Sequence, residues 1–147
     1  MQEKEPIKYL KSFFHVVKEY IEKNSFNYNL NEFMPPLIKS FGRLQQVTSF
    51  MASKGLNNPE EAAGPATDYL KMFSLVAIGY VWTQYAEISF NKQNDDPEGF
   101  YKAKIASGKY YMLKILPETG SIMSSILSGA KYYNDFDDEY FDSGFIL

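Results

Sequence analysis

From Tyr69 to Trp82 the chain reads Tyr-Leu-Lys-Met-Phe-Ser-Leu-Val-Ala-Ile-Gly-Tyr-Val-Trp, with Lys71 as its one charge. A helix that is apolar nearly all round has no face to offer water, so it must be surrounded by other helices or by a partner. Its longest apolar stretch, Met72 to Trp82, is interrupted by Ser74 and falls well short of the roughly 20 apolar residues that a membrane span needs. The segment therefore reads as the central, buried helix of a helical domain, and Trp82 is expected to lie largely buried.

The rest of the chain supplies the wrapping. Ile7, Leu10, Phe13, Phe14, Val17, Tyr20 and Ile21 recur at spacings of three and four opposite Lys11, Lys18, Glu19 and Glu22, which predicts an amphipathic helix from about Pro6 to Lys23. Asn24 to Asn29 has no helical period and is rich in side chains that compete for backbone hydrogen bonds, so it reads as a loop. Leu37, Phe41, Leu44, Val47 and Met51 form the stripe of a second helix. It starts near Pro36, because a Pro-Pro pair fits only a first turn or a kink, and closes at Gly55.

Asn58-Pro59-Glu60-Glu61 offers a cap, a first-turn proline and a carboxylate, predicting a short turn that Gly64-Pro65 interrupts before the long helix from about Pro65 to Asn91. Asp96-Pro97-Glu98 repeats the signal ahead of a fourth helix carrying Tyr101, Ile105, Gly108, Met112 and Leu116 on one face. Pro117 lacks an amide hydrogen and crowds the carbonyl of Leu113. Ile122, Ile126 and Ala130 nevertheless continue the stripe, so a kink is expected rather than a stop. The fold class that follows is all-α, a four-helix bundle with a kinked last helix.

Charge and composition narrow the function. At 147 residues, one core is expected over residues 1–131, followed by a tail over 132–147. The net charge is −3 and Arg43 is the only arginine, whereas phosphate recognition favours a basic face rich in arginine forks; a nucleic-acid partner is not expected. With no cysteine, disulfides, thiolate metal sites and cysteine nucleophiles are excluded. No export signal is visible at the start, and a cytoplasmic location is expected.

Chemistry-bearing constellations are scarce. His15 is the only histidine and reads as a packing or surface residue of the first helix, because a general base needs a positioned partner. Glu60 and Glu61 are consecutive, point in different directions on a helix, and are accounted for by capping and the helix dipole. Asp135, Asp137 and Glu139 alternate like the start of a calcium loop, but Tyr140 and Ile146 stand where that loop needs glycine and glutamate. Trp82, Tyr85, Tyr110 and Tyr111 either line a ligand pocket or fill the core, with core the default for rings at helical spacing. Gly79, Ala103, Ala106 and Gly108 read as close helix packing. No catalytic, cofactor-binding or metal residue is assigned.

The tail interleaves rings with acids. Water does not satisfy the rings and the acids prevent deep burial, so the tail is expected to lie along a groove of its own bundle or of a second copy. Phe136, Tyr140, Phe141 and Phe145 would be its anchors. A homodimer is the first expectation for such a chain.

Two linked stretches resemble a known family. Asp68-Tyr69-Leu70, Phe73, Val76-Ala77 and Gly79-Tyr80-Val81-Trp82 are similar to a helix of the C-terminal domain that follows the catalytic region in one branch of the acyl-CoA dehydrogenase family. Phe100-Tyr101-Lys102-Ala103-Lys104-Ile105-Ala106, Lys109-Tyr110-Tyr111 and Leu116-Pro117-Glu118 resemble a second pattern of the same domain. The resemblance covers about Asn57 to Ala130. It leaves open whether helices one and two belong to this domain or to the end of the catalytic region. It implies an accessory, noncatalytic domain of a flavoprotein whose FAD and catalytic glutamate reside upstream, partnered by the catalytic domains or by another copy. The chain alone is then expected to bind no FAD and to show no activity. An autonomous helical interaction module is the alternative.

Overall fold

The computed structural model describes residues 5–55 and 65–128, and within them every regular element is helical. Helix α1 spans Glu5–Asn24, α2 Met34–Gly55, α3 Ala66–Lys92, α4 Phe100–Tyr110 and α5 Glu118–Ser128. A π-helical turn, Tyr111–Ile115, joins α4 to α5. Taken through that turn, α4 and α5 are one bent helix, so the expected all-α four-helix bundle is present. The acidic tail lies outside the described residues, as does the turn expected at Asn58-Pro59-Glu60-Glu61.

Local sequence explains where the helices begin. Pro35 and Pro36 occupy the first turn of α2, where an amide hydrogen would have no intrahelical acceptor. Between α1 and α2, Asn27 accepts the Asn29 amide in its side chain and starts the short 3-10 turn Tyr28–Leu30, which drives Leu30 into the core. Ahead of α4 the sequence signal is displaced. Pro97 precedes the helix instead of occupying its first turn, Gly99 takes the left-handed conformation (φ 77°), and the Asp96 carboxylate accepts the Tyr101 amide from further back.

Helix α3 is the axis, and its core has two storeys. In the lower one Met72 and Val76 meet Val17 of α1, Phe41, Leu44 and Val47 of α2, and Ile122 and Ile126 of α5. In the upper one Ala86 meets Leu30, Phe33 and Leu37 with Tyr111, Met112 and Leu116. This pairing runs α2 and the bent helix antiparallel to α3. Each fully buried Leu, Phe or Met here contributes on the order of 1.5–3 kcal/mol over an exposed position.

Helix α1 runs parallel to α3 and meets it through rings. Phe13 lies 4.8 Å from Phe73, Tyr20 packs edge-on to Tyr80 at 5.2 Å, and Phe14 packs edge-on to Phe41 of α2 at 5.6 Å. Edge-to-face pairs of this kind contribute about 0.5–1.5 kcal/mol beyond area burial.

The bent helix approaches α3 at glycines. A Cβ built on Gly79 would stand 3.3 Å from both methyl carbons of Leu116, and one on Gly108 only 2.8 Å from Cε1 of Phe33, a fully buried ring. Ala103 and Ala106, expected to pack closely as well, are exposed, because they lie on the outer side of α4.

The kink at Pro117 has a specific form. An α-helical register would press the proline ring against the carbonyl of Leu113. Instead the turn before it widens, the Leu116 amide reaching the Tyr111 carbonyl at 2.9 Å, and the helix restarts with Thr119 bonded to Leu116 and Gly120 to Pro117.

Gly42 and Gly108 should respond oppositely to alanine. Gly42 sits mid-helix with nothing within 4 Å of a built Cβ, so Gly42→Ala should stabilise by up to about 1 kcal/mol through helix propensity. Gly108→Ala should destabilise by about 1–3 kcal/mol, because the ring it displaces has nowhere to go. Thermal melts of the two variants against the parent chain read both signs.

Candidate functional site

Three ion pairs in the described residues link side chains for structure. His15 is exposed on α1 with Glu19 at 3.1 Å one turn on, a surface pair and not an oriented base. Lys71 of α3 meets Glu118 at the start of α5 at 2.6 Å, and Lys109 of α4 meets Glu32 at 2.8 Å. Both pairs are well exposed, so solvent and salt screen them and neither adds much to stability. Among the described residues no three His, Asp or Glu groups gather as a metal site would require.

Two tyrosines, one partly and one wholly buried, act as donors. The Tyr20 hydroxyl donates to Glu87 at 2.8 Å; burial first, then that hydrogen bond and the charge of Glu87, push its pKa well above the usual phenol value. The Tyr111 hydroxyl donates to the Leu75 carbonyl at 2.6 Å, reaching it beside Gly79. Burial, with a smaller contribution from Glu118, pushes it up to about 12. Phenols held in this way pin helices and are poorly placed to carry protons.

The four rings singled out in the sequence separate. Tyr111 is core. Trp82 is mostly buried, as expected for it: it packs against the upper core and on Gly108, and the Lys104 ammonium stands 5.7 Å over the ring. Lys104 lies at similar distances from Tyr85 and Phe100, so these rings form a cation–π cluster on the surface. Tyr85 and Tyr110 are exposed. Trp82, Tyr110 and Tyr111 border an open depression of about 480 Å³ with Ala106, Ser107 and Ile115.

Among the described residues, exposed apolar side chains line the outer face of α3. Leu70, Ile78, Val81, Tyr85 and Ile88 fall on one side of the helix and are exposed by 41% at Val81 to 66% at Leu70. The stripe is uncharged, and its one polar interruption, Ser74, donates its hydroxyl to the Leu70 carbonyl. At about 1.5 Å per residue it runs roughly 27 Å. The run that demanded wrapping is thus wrapped on three sides by α1, α2 and the bent helix and left bare on the fourth. A helix buried all round was expected, so this exposed face departs from that expectation. Which residues compose it depended on how the neighbours dock. Phe136, Tyr140, Phe141 and Phe145, the anchors expected from the sequence, lie outside the described residues, as do Glu60 and Glu61.

A family model described as acetyl-CoA dehydrogenase C-terminal like matches residues 13–137. The match begins inside α1 and takes in all of α2, so the first two helices share a domain with the rest. No curated protein shows significant similarity to the chain.

Raised phenol pKa values give a definite pH response. Tyr111, at about 12 folded against 10.0 unfolded, holds its proton in the native state after the unfolded chain has released it. Its contribution is fully present below about pH 10 and is lost as pH rises from 10 toward 12; Tyr20 acts in the same direction. Denaturant melts should show stability falling across that window, and Tyr111→Phe should flatten the fall.

Proposed function

Because the chain belongs to the acetyl-CoA dehydrogenase C-terminal-like family, we propose that it is the noncatalytic helical accessory domain of an acyl-CoA dehydrogenase-like flavoprotein, working in the cytoplasm. Its task is to extend the catalytic body and bury surface against it or against a second copy. The observation that carries this reading is the bare outer face of α3. A contiguous apolar stripe is costly to leave in water and characteristically marks a contact. An interaction module acting alone would use the same face and differ only in its partner. The bundle proper is taken as residues 1–131, with 132–147 as an appended tail.

The FAD of such flavoproteins does not fit the depression beside Trp82. Its lining supplies only the hydroxyls of Ser107 and the tyrosines, with no cation and no helix N-terminus to meet a pyrophosphate. No helix among the described residues is long and apolar enough to cross a membrane.

The test combines association with activity. Ile78→Lys with Ile88→Lys should weaken binding to a dehydrogenase body, or self-association seen by light scattering, at least tenfold. Helix content and melting temperature should stay unchanged, since both residues are about half exposed. Association insensitive to the double substitution would remove α3 from the interface. The isolated chain should neither retain FAD nor reduce an electron acceptor with acyl-CoA, and a flavin absorption band in purified protein would contradict the accessory role.

A further inference from the structure

On a different face from the α3 stripe, the first turns of α2 and the π turn enclose a cleft of about 320 Å³. Pro35, Pro36, Met112, Leu116 and Pro117 give it an apolar lining, and Lys39 and Arg43 add positive charge. Arg43 donates one N–H to Thr119 Oγ1 at 3.1 Å, which leaves most of its fork unused. The acids nearest in sequence are already engaged, Glu32 with Lys109 and Glu118 with Lys71. No carboxylate among the described residues pairs with Lys39 or Arg43. The cleft therefore suits an occupant that is at once aromatic and acidic.

The chain itself carries such a segment. After Ser128 it continues to Tyr132, Tyr133, Asp135, Phe136, Asp137, Asp138 and Glu139, with Lys131 as the one cation. We propose that this segment turns back along α5 and fills the cleft, Phe136 on the apolar floor and Asp135 and Asp137 turned toward Lys39 and Arg43. In an extended chain alternate side chains face opposite ways, which matches a ring flanked by two acids. The reach is adequate. Helix α5 carries the chain about 16 Å away from Pro117, and an extended strand at roughly 3.3 Å per residue recovers that in about five residues. Tyr133 onward then stands abreast of the cleft. The family match also runs past the end of α5 to residue 137, taking Phe136 and both flanking acids into the domain.

The absence of cysteine makes a clean cross-linking test possible in the full-length chain. Leu113→Cys places a thiol at an exposed position on the cleft wall, and Asn134→Cys places one beside Phe136 without removing a ring or an acid. This pair should close an intramolecular disulfide at least tenfold faster than Ser124→Cys with Asn134→Cys, although Ser124 is nearer the root of the segment and favoured by tethering alone. Adding Lys39→Glu should slow the Leu113–Asn134 closure severalfold, and so should molar salt. Equal rates for the two pairs would overturn the proposal. So would cross-linking only between molecules, which would place the segment on a second copy, or a rate indifferent to Lys39→Glu.

Discussion

Everything in this bundle is organised by the need to desolvate α3. A helix with apolar residues on every side cannot be satisfied by one neighbour. Three elements accordingly converge on it: α2 and the bent last helix by close contact, and α1 through a layer of rings. The two core storeys, centred on Met72 and Val76 below and Ala86 above, are the consequence of wrapping one long helix with shorter ones. What remains exposed among the described residues, from Leu70 to Ile88, is the part of that requirement that α1, α2 and the bent helix leave unmet.

How closely each neighbour approaches is set by side-chain size. Gly79 and Gly108 bring α3, the bent helix and the Phe33 ring into direct contact, with the Leu116 methyls seated against Gly79 and Tyr111 reaching the Leu75 carbonyl beside it. On the opposite flank Phe13, Tyr20, Phe73 and Tyr80 hold α1 away by the thickness of their rings. A polar contact in that layer, Tyr20 to Glu87, gives the partly buried carboxylate a donor and ties α1 to α3.

The π turn at Tyr111–Ile115 ties backbone chemistry to packing. Pro117 forbids a regular turn, the widened turn absorbs the conflict, and the displacement delivers Tyr111, Met112 and Leu116 to the upper core while Thr119 and Ile122 resume the lower one. The same widening helps form the wall of the cleft that Lys39 and Arg43 border. A feature that begins as proline avoidance thus shapes both the core and a surface.

The sequence by itself determined the number, order and type of the elements and the centrality of α3, because hydrophobic period, proline position and capping are local properties of the chain. It also located the bend at Pro117, and its paired motifs were enough to recognise the family. It did not determine the π turn, the outward positions of Ala103 and Ala106, the cation over the Trp82 ring or the paired status of Glu32 and Glu118. Each depends on the rotation of one helix against another. A helix that is apolar all round carries no periodic signal of which face its neighbours will take, so only tertiary packing decided that α1, α2 and the bent helix would leave the Leu70–Ile88 stripe to water.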